Sequence, residues 1–298
     1  MARNFIISFF HREGSSAIID HLSNHPKLNV PLFEGLDYYA ANSHANAFEI
    51  VEFVDQAFSQ GSCDLPWVEE NKFSMTGPKK AYECIGFKWR IWGDTNKISE
   101  ILCKHKVKLF FLMRNDPFDL ALSLYLTNRI IPRLEDADAF GGGGHVQFTL
   151  RQLPQARVEA AKNRLSKIEF QADREGFLSY IEEYVKRKQR DWNERIFPLL
   201  NRGINVSLIS YEKFLQDPKM FLRDFLNTID LPWDDAVTET EFVKVTSANL
   251  FHQVENLQDL RDDSDVRRWQ EIYRAFQADV VAQLASADRG QPPSGHRP

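Results

Sequence analysis

Between an apolar run at residues 5–10 and a helical pattern beginning at Ala17 stand six residues with no apolar side chain: His11, Arg12, Glu13, Gly14, Ser15 and Ser16. A guanidinium, two hydroxyls and a glycine that admits close backbone approach are suited to a phosphate or sulfate group. A polar turn between a strand and a helix also aims unpaired backbone N–H groups and the positive end of a helix dipole into one small space. Alone, these residues would equally make an ordinary turn with Ser15 as its cap. A second segment, LMRNDPFDLALSLYL, puts Arg114 at the end of another apolar run and Ser123 about two turns into the next helix, so a fork and a hydroxyl could converge on a second phosphate. Ligands of open α/β sheets collect at the carboxyl ends of the strands, where both cations would lie.

The elements that must carry these residues are legible in the apolar pattern. Residues 5–10, 85–91, 107–113 and 205–211 read as strands buried on both faces, with helical patterns between them. That alternation is the mark of an α/β fold: a central parallel sheet flanked by helices. Asp94 or Thr95 can cap one helix, and Asp116-Pro117 opens another. Residues 174–200 and 214–229 each read as one helix, and 266–284 as the last. Residues 71–82 read as a loop. Residues 129–154, with two prolines and the run GGGGH, read as a long exposed loop, either a lid over a site or slack. We expect one domain over residues 1–285 and a flexible tail over 286–298.

Composition bounds the function. A net charge of -5 over 298 residues gives no general affinity for nucleic acid, so an anion site must be made locally. No apolar run approaches membrane-spanning length, and the first ten residues lack the pattern of a secretory signal. Cys63, Cys84 and Cys103 form no CxxC pair and read as reduced thiols of a cytoplasmic protein. The turn lacks the GxxxxGK[ST] pattern of nucleotide hydrolases, and no GxGxxG occurs. His21 and His25 lie four apart with no third ligand at a known spacing, and no metal is expected.

HREGSSAIIDHL followed by His25-Pro26 resembles the PRSGTT or PKSGTT loop of sulfotransferases that use 3'-phosphoadenosine 5'-phosphosulfate (PAPS), and LMRNDPFDLALSLYL resembles their 3'-phosphate segment. SLISYEKFLQDPKMFLRDFLNTIDLP is similar to their later strand and helix, where a Tyr-Glu pair recurs. The resemblance implies a P-loop-like, three-layer sulfotransferase fold, closest in pattern to the bacterial and carbohydrate branches. It implies that Arg12, Glu13, Gly14, Ser15 and Ser16 form the loop for the 5'-phosphosulfate, and that Arg114 and Ser123 hold the 3'-phosphate. Glu34 falls where those branches carry an acidic general base, and Lys88 matches a lysine near the reacting groups. The donor would be PAPS and the nucleotide product 3',5'-adenosine bisphosphate (PAP).

Sulfuryl transfer asks for alignment and for neutralising charge as it moves to the leaving phosphate, which Arg12 and the loop amides can do. Glu34 is the first choice as base and His11 the second. Glu13 departs from the pattern, because the family has a small residue there and a carboxylate beside a phosphate is unfavourable unless it turns away. The expected acceptor is a hydroxyl on a carbohydrate, lipid or natural product, with Tyr38 and Tyr39 able to stack on a sugar ring. Two rivals remain at this stage: an inactive nucleotide sensor or interaction protein, and a small-molecule kinase with an altered phosphate loop.

Overall fold

In a computed structural model of the chain, the structure describes residues 4–31, 47–61, 82–133, 160, 163, 167–239 and 252–289. Five parallel strands, β1 (Asn4–Ser8), β2 (Leu28–Asn29), β3 (Cys84–Lys88), β4 (Val107–Met113) and β5 (Val206–Ser210), form one sheet in the order β2-β3-β1-β4-β5. β1 is the central strand: Phe5, Ile6 and Ile7 are fully buried between β3 and β4. The amide of Asn4 spans both neighbours, donating to the His105 carbonyl and accepting from the Ile85 N–H, each at 2.9 Å.

Helices cover both faces, as the three-layer expectation requires. Phe5 and Phe110 share one face and pack on Phe225 of the helix Pro218–Thr228, at centroid distances of 5.0 and 4.1 Å. Phe111 points to the other face, where Trp192 meets it at 5.3 Å. A Cβ at residue 86 would lie 2.0 Å from the Phe5 ring, so β3 needs glycine opposite that ring.

β1, β3 and β5 are shorter than the apolar runs that announced them, whereas β4 spans the whole of its expected run, Val107–Met113. Phe9, Phe10 and Ile91 have left the ladder yet stay buried, as does Trp89, whose N–H still donates to the Ile7 carbonyl at 3.0 Å, because the chain turns over the sheet's end without leaving the core. β2, two residues long, had no run to announce it. Asp94 caps Thr95–Lys104 by accepting from the Asn96 and Lys97 N–H groups, and Asp116 caps Pro117–Tyr125 through the Phe118 N–H.

Two expected single helices are interrupted. The first runs over Arg174–Asp191, widens into a π turn at Trp192–Ile196 and ends with Phe197–Leu200. Pro198 has no N–H to give the carbonyl one turn back and its ring crowds that carbonyl, so the ladder slips. The second is split into Tyr211–Gln216 and Pro218–Thr228, because Asp217, the residue before a proline, is driven out of the helical region to φ -148 and ψ 87. Its carboxylate then accepts the Met220 N–H at 2.9 Å and starts the second helix. The last helix spans Ser264–Asp288, four residues beyond the expected end and into the expected tail. Residues 129–133 of the expected loop continue the preceding helix as π and 3-10 turns, while 134–154 lie outside the described residues, as do 71–81, Tyr38, Tyr39 and Cys63.

The chain divides into two compact units, one of Met1–Asn115, Gln189–Thr240 and Ala278–Pro298, the other of Asp116–Lys188 and Glu241–Gln277. All five strands belong to the first. The second is knit by Phe118 on Phe177 at 4.9 Å, by the buried hydroxyls of Tyr184 and Tyr273 at 2.9 Å, and by Arg174 paired with Asp263 and Asp265 at 2.5 and 2.6 Å. Among the described residues no helix is long and apolar enough to cross a membrane.

Candidate anion-binding site

The turn after β1 is closed by its own backbone and by one side chain. The Glu13 N–H donates to the Phe10 carbonyl at 3.3 Å, and the Phe10 N–H donates to Glu13 Oε2 at 2.5 Å. Glu13 is fully buried. The carboxylate that seemed misplaced beside an anion therefore folds back and satisfies a backbone donor within the turn. Arg12 takes a left-handed conformation at φ 65, uncommon for a residue with a side chain and frequent where function imposes strain.

Gly14, not Ser15, occupies the cap of the helix Ser15–Ser23. It lies at φ 88 and brings no side chain over the first N–H groups, so the helix opens on bare backbone donors. Glycine is required twice here: for that dihedral, and because a Cβ would stand 2.1 Å from Cε2 of Tyr211.

Lys88, at the carboxyl end of β3 and paired in register with Ile7, reaches across to the same helix end. Its Nζ donates to Ser16 Oγ at 2.7 Å and lies 4.8 Å from the centroid of Phe9, and the residue is 1% exposed. Burying an ammonium is costly unless polar or charged groups meet it, so this lysine is fixed by its surroundings.

Arg114 follows β4. Its Nε pairs with Glu212 Oε1 at 2.5 Å, and Glu212 Oε2 accepts the Asn115 N–H at 2.9 Å. The guanidinium lies 5.1 Å from the centre of the Tyr211 ring, and its Nη1 is 3.5 Å from the Arg12 carbonyl. Tyr211 thus bears on Arg114 and on Gly14 together. Burial pushes its phenol above the ordinary range, the Arg114 charge opposes this, and the Glu212 charge adds to it. Beyond Lys88, Arg90 places Nη2 2.8 Å from Nδ1 of His11 and lies 5.2 Å from the Phe9 centroid.

The structure gathers Arg12, Glu13, Gly14, Ser15, Ser16, Lys88 and Arg114 at the carboxyl edge of one sheet, all within the first unit. Ser123 belongs to the second unit, where its carbonyl accepts the Thr127 hydroxyl at 2.8 Å. Glu34 lies outside the described residues. His21 and His25 are structural: their ring nitrogens bond the Val237 and Pro232 carbonyls at 2.8 and 2.9 Å. No cluster suited to a metal occurs among the described residues. The contributions of Tyr211, Glu212 and Arg90 were not foreseen, although the Tyr-Glu pair stands directly after β5, at the edge where the other cations gather.

No family model matches the chain, and no curated protein matches it. Solved structures to which it is similar include several sulfotransferases. One, from Alicyclobacillus acidocaldarius, is 15% identical over 98% of this chain and 97% of its own, with a TM-score of 0.38. The sulfotransferase domain of the Synechococcus PCC 7002 olefin synthase is 15% identical over 92% and 94%, with a TM-score of 0.42. Mouse sulfotransferase SULT7A1, solved in complex with PAP, is 13% identical over 91% and 88%, with a TM-score of 0.34.

Proposed function

We propose that the chain is a sulfotransferase that moves a sulfuryl group from PAPS to a hydroxyl acceptor. The observation that carries this reading is the joining of the turn after β1 to the end of β4, where Tyr211 touches both Gly14 and the Arg114 guanidinium. Two cationic strand ends that share a wall suit one ligand with two separate anionic groups. The opening N–H groups of Ser15–Ser23, with Arg12, Ser16 and Lys88, would take the 5'-phosphosulfate, and Arg114 with Ser123 the 3'-phosphate. The motif resemblance supplies these pairings.

In the reaction the acceptor oxygen bonds to sulfur as the bond from sulfur to the 5'-phosphate oxygen breaks, and the acceptor proton passes to Glu34. PAP leaves with the added negative charge, which Arg12, Lys88 and the loop amides offset. The inactive-sensor reading drew on Glu13, and that carboxylate is engaged by the Phe10 N–H within the turn. Calorimetry with PAP and with ATP tests the donor: PAP is expected to bind with an affinity that depends on Arg114, whereas binding of ATP alone, unaffected by Arg114→Ala, rejects the reading. Glu34→Ala is expected to abolish transfer while leaving PAP affinity nearly intact.

A further inference from the structure

Ile91 takes a left-handed conformation at φ 55 and is 2% exposed. A β-branched residue is a genuine outlier there, and such a dihedral persists only where the surroundings hold it. Ile91 stands just beyond β3, between Arg90 and Trp92, and Gly93 at φ 123 completes the bend. Arg195 grips that bend on both sides of Ile91: its Nη1 donates to the Arg90 carbonyl at 3.2 Å, and its guanidinium lies 4.2 Å from the centroid of Trp92. Arg195 belongs to the π turn Trp192–Ile196, and Asp191 Oδ1 accepts from the same Nη1 at 2.8 Å. The turn is itself pinned, by Trp192 against Phe111 of β4 at 5.3 Å and by the Trp192 indole N–H donating to Gln283 Oε1 at 2.8 Å. All of these residues belong to the first unit.

On the other side of the bend, Arg90 reaches the turn after β1. Its Nη2 lies 2.8 Å from Nδ1 of His11, and its guanidinium is 5.2 Å from the centroid of Phe9. Lys88, bonded to Ser16, meets the same Phe9 ring at 4.8 Å. We infer that Arg195 is a positioning residue for the anion-binding turn: by holding the bend in its left-handed form it keeps Arg90 against His11 and Phe9, and so keeps the turn and Lys88 in register. Without that grip Ile91 relaxes toward an extended conformation, which reorients Arg90, and the turn loses a support. Binding groups need such support, because small displacements of them are costly to affinity. Naming the anion as a 5'-phosphate rests on the proposed transfer reaction; the clamp on the bend does not.

The test has two readings on the full-length protein. Hydrogen exchange read by mass spectrometry is expected to quicken at residues 9–14 and 89–94 in Arg195→Ala, while β4 and the second unit keep the protection of the parent chain. Unchanged exchange at residues 9–14, or a rise spread over the whole chain, overturns the inference. In calorimetry Arg195→Ala should bind PAP roughly tenfold more weakly, yet bind adenosine 3'-monophosphate, which has no phosphate for the turn, within about twofold of the parent. Equal losses for the two nucleotides would make Arg195 a general support of the fold and overturn the inference. Should Arg195→Ala fail to fold, Trp92→Leu, which removes the ring against the guanidinium, carries both measurements: a smaller split of the same sign is expected, and no split overturns the inference. Should PAP not bind the parent chain, the proposed reaction fails, and the exchange pattern still decides the clamp.

Discussion

Nη1 of Arg114 lies 3.5 Å from the backbone carbonyl of Arg12, across 102 positions of sequence. The cation that ends β4 leans on the turn that ends β1. If that guanidinium receives the 3'-phosphate, Arg114→Ala should weaken PAP binding by about 1.5 to 3 kcal/mol, the range for a hydrogen bond to a charged group. Adenosine 5'-monophosphate should lose far less. Calorimetry on both nucleotides separates the cases, since equal losses would mark Arg114 as a support of the turn.

Gly14→Ala sets a methyl 2.1 Å from the Tyr211 ring and a side chain at φ 88. A left-handed non-glycine residue alone costs about 1 to 3 kcal/mol, so the urea midpoint should fall. Adding Tyr211→Ala removes the collision and leaves the dihedral strain. The double variant should be less destabilised than the sum of the singles, and strict additivity would show that the ring does not press on the turn.

Lys88→Met keeps the length of the side chain and removes its charge. Removing the buried ammonium relieves its desolvation cost and gives up its bond to the neutral Ser16 hydroxyl, two opposed effects, so the melting temperature should change little. Turnover should fall by roughly a hundredfold if the ammonium meets charge developing on the transferred group. A melting temperature that drops with turnover unchanged would assign Lys88 to the core.

Glu13 separates a role in the turn from a role with ligand. Glu13→Gln retains an oxygen for the Phe10 N–H and should leave both stability and PAP affinity close to those of the parent chain. Glu13→Ala orphans that buried N–H and should cost about 1 to 3 kcal/mol in denaturant unfolding. Loss of PAP affinity in the glutamine variant, with stability preserved, would return the carboxylate to the ligand.

In the second unit the Tyr125 hydroxyl, followed by the Gly176 N–H, holds the Asp173 carboxyl below its ordinary value of 3.8. Because the folded value is the lower one, the stabilisation is present above the unfolded value and is lost as pH falls toward the folded one. Melting temperatures recorded downward from about pH 5 should therefore decline less steeply for Asp173→Asn than for the parent. Parallel slopes would show that the carboxyl is not linked to folding.

What the sequence discloses is local pattern. Uninterrupted apolar runs gave the central strands, because a strand covered on both faces admits nothing else, and Asp94 and Asp116 declared their helices by capping them. A cation at the close of such a run was enough to nominate Arg12 and Arg114. The inward turn of Glu13 depended on a bond to a backbone N–H three residues away that no residue pattern specifies. Tyr211 and Glu212 meet partners about a hundred or more positions distant, and only the register of the sheet brings them there. The π turn at Trp192–Ile196 was hidden because the apolar spacing around it is that of an ordinary helix.

A single phenol ring lies close to both Gly14 and the Arg114 guanidinium. A ligand group that displaces this ring in one recess would be felt in the other. A nucleotide phosphorylated at both positions should then be held with a free energy that differs from the sum for its singly phosphorylated halves, and by thermodynamic reciprocity each half should alter the grip on its counterpart by the same factor.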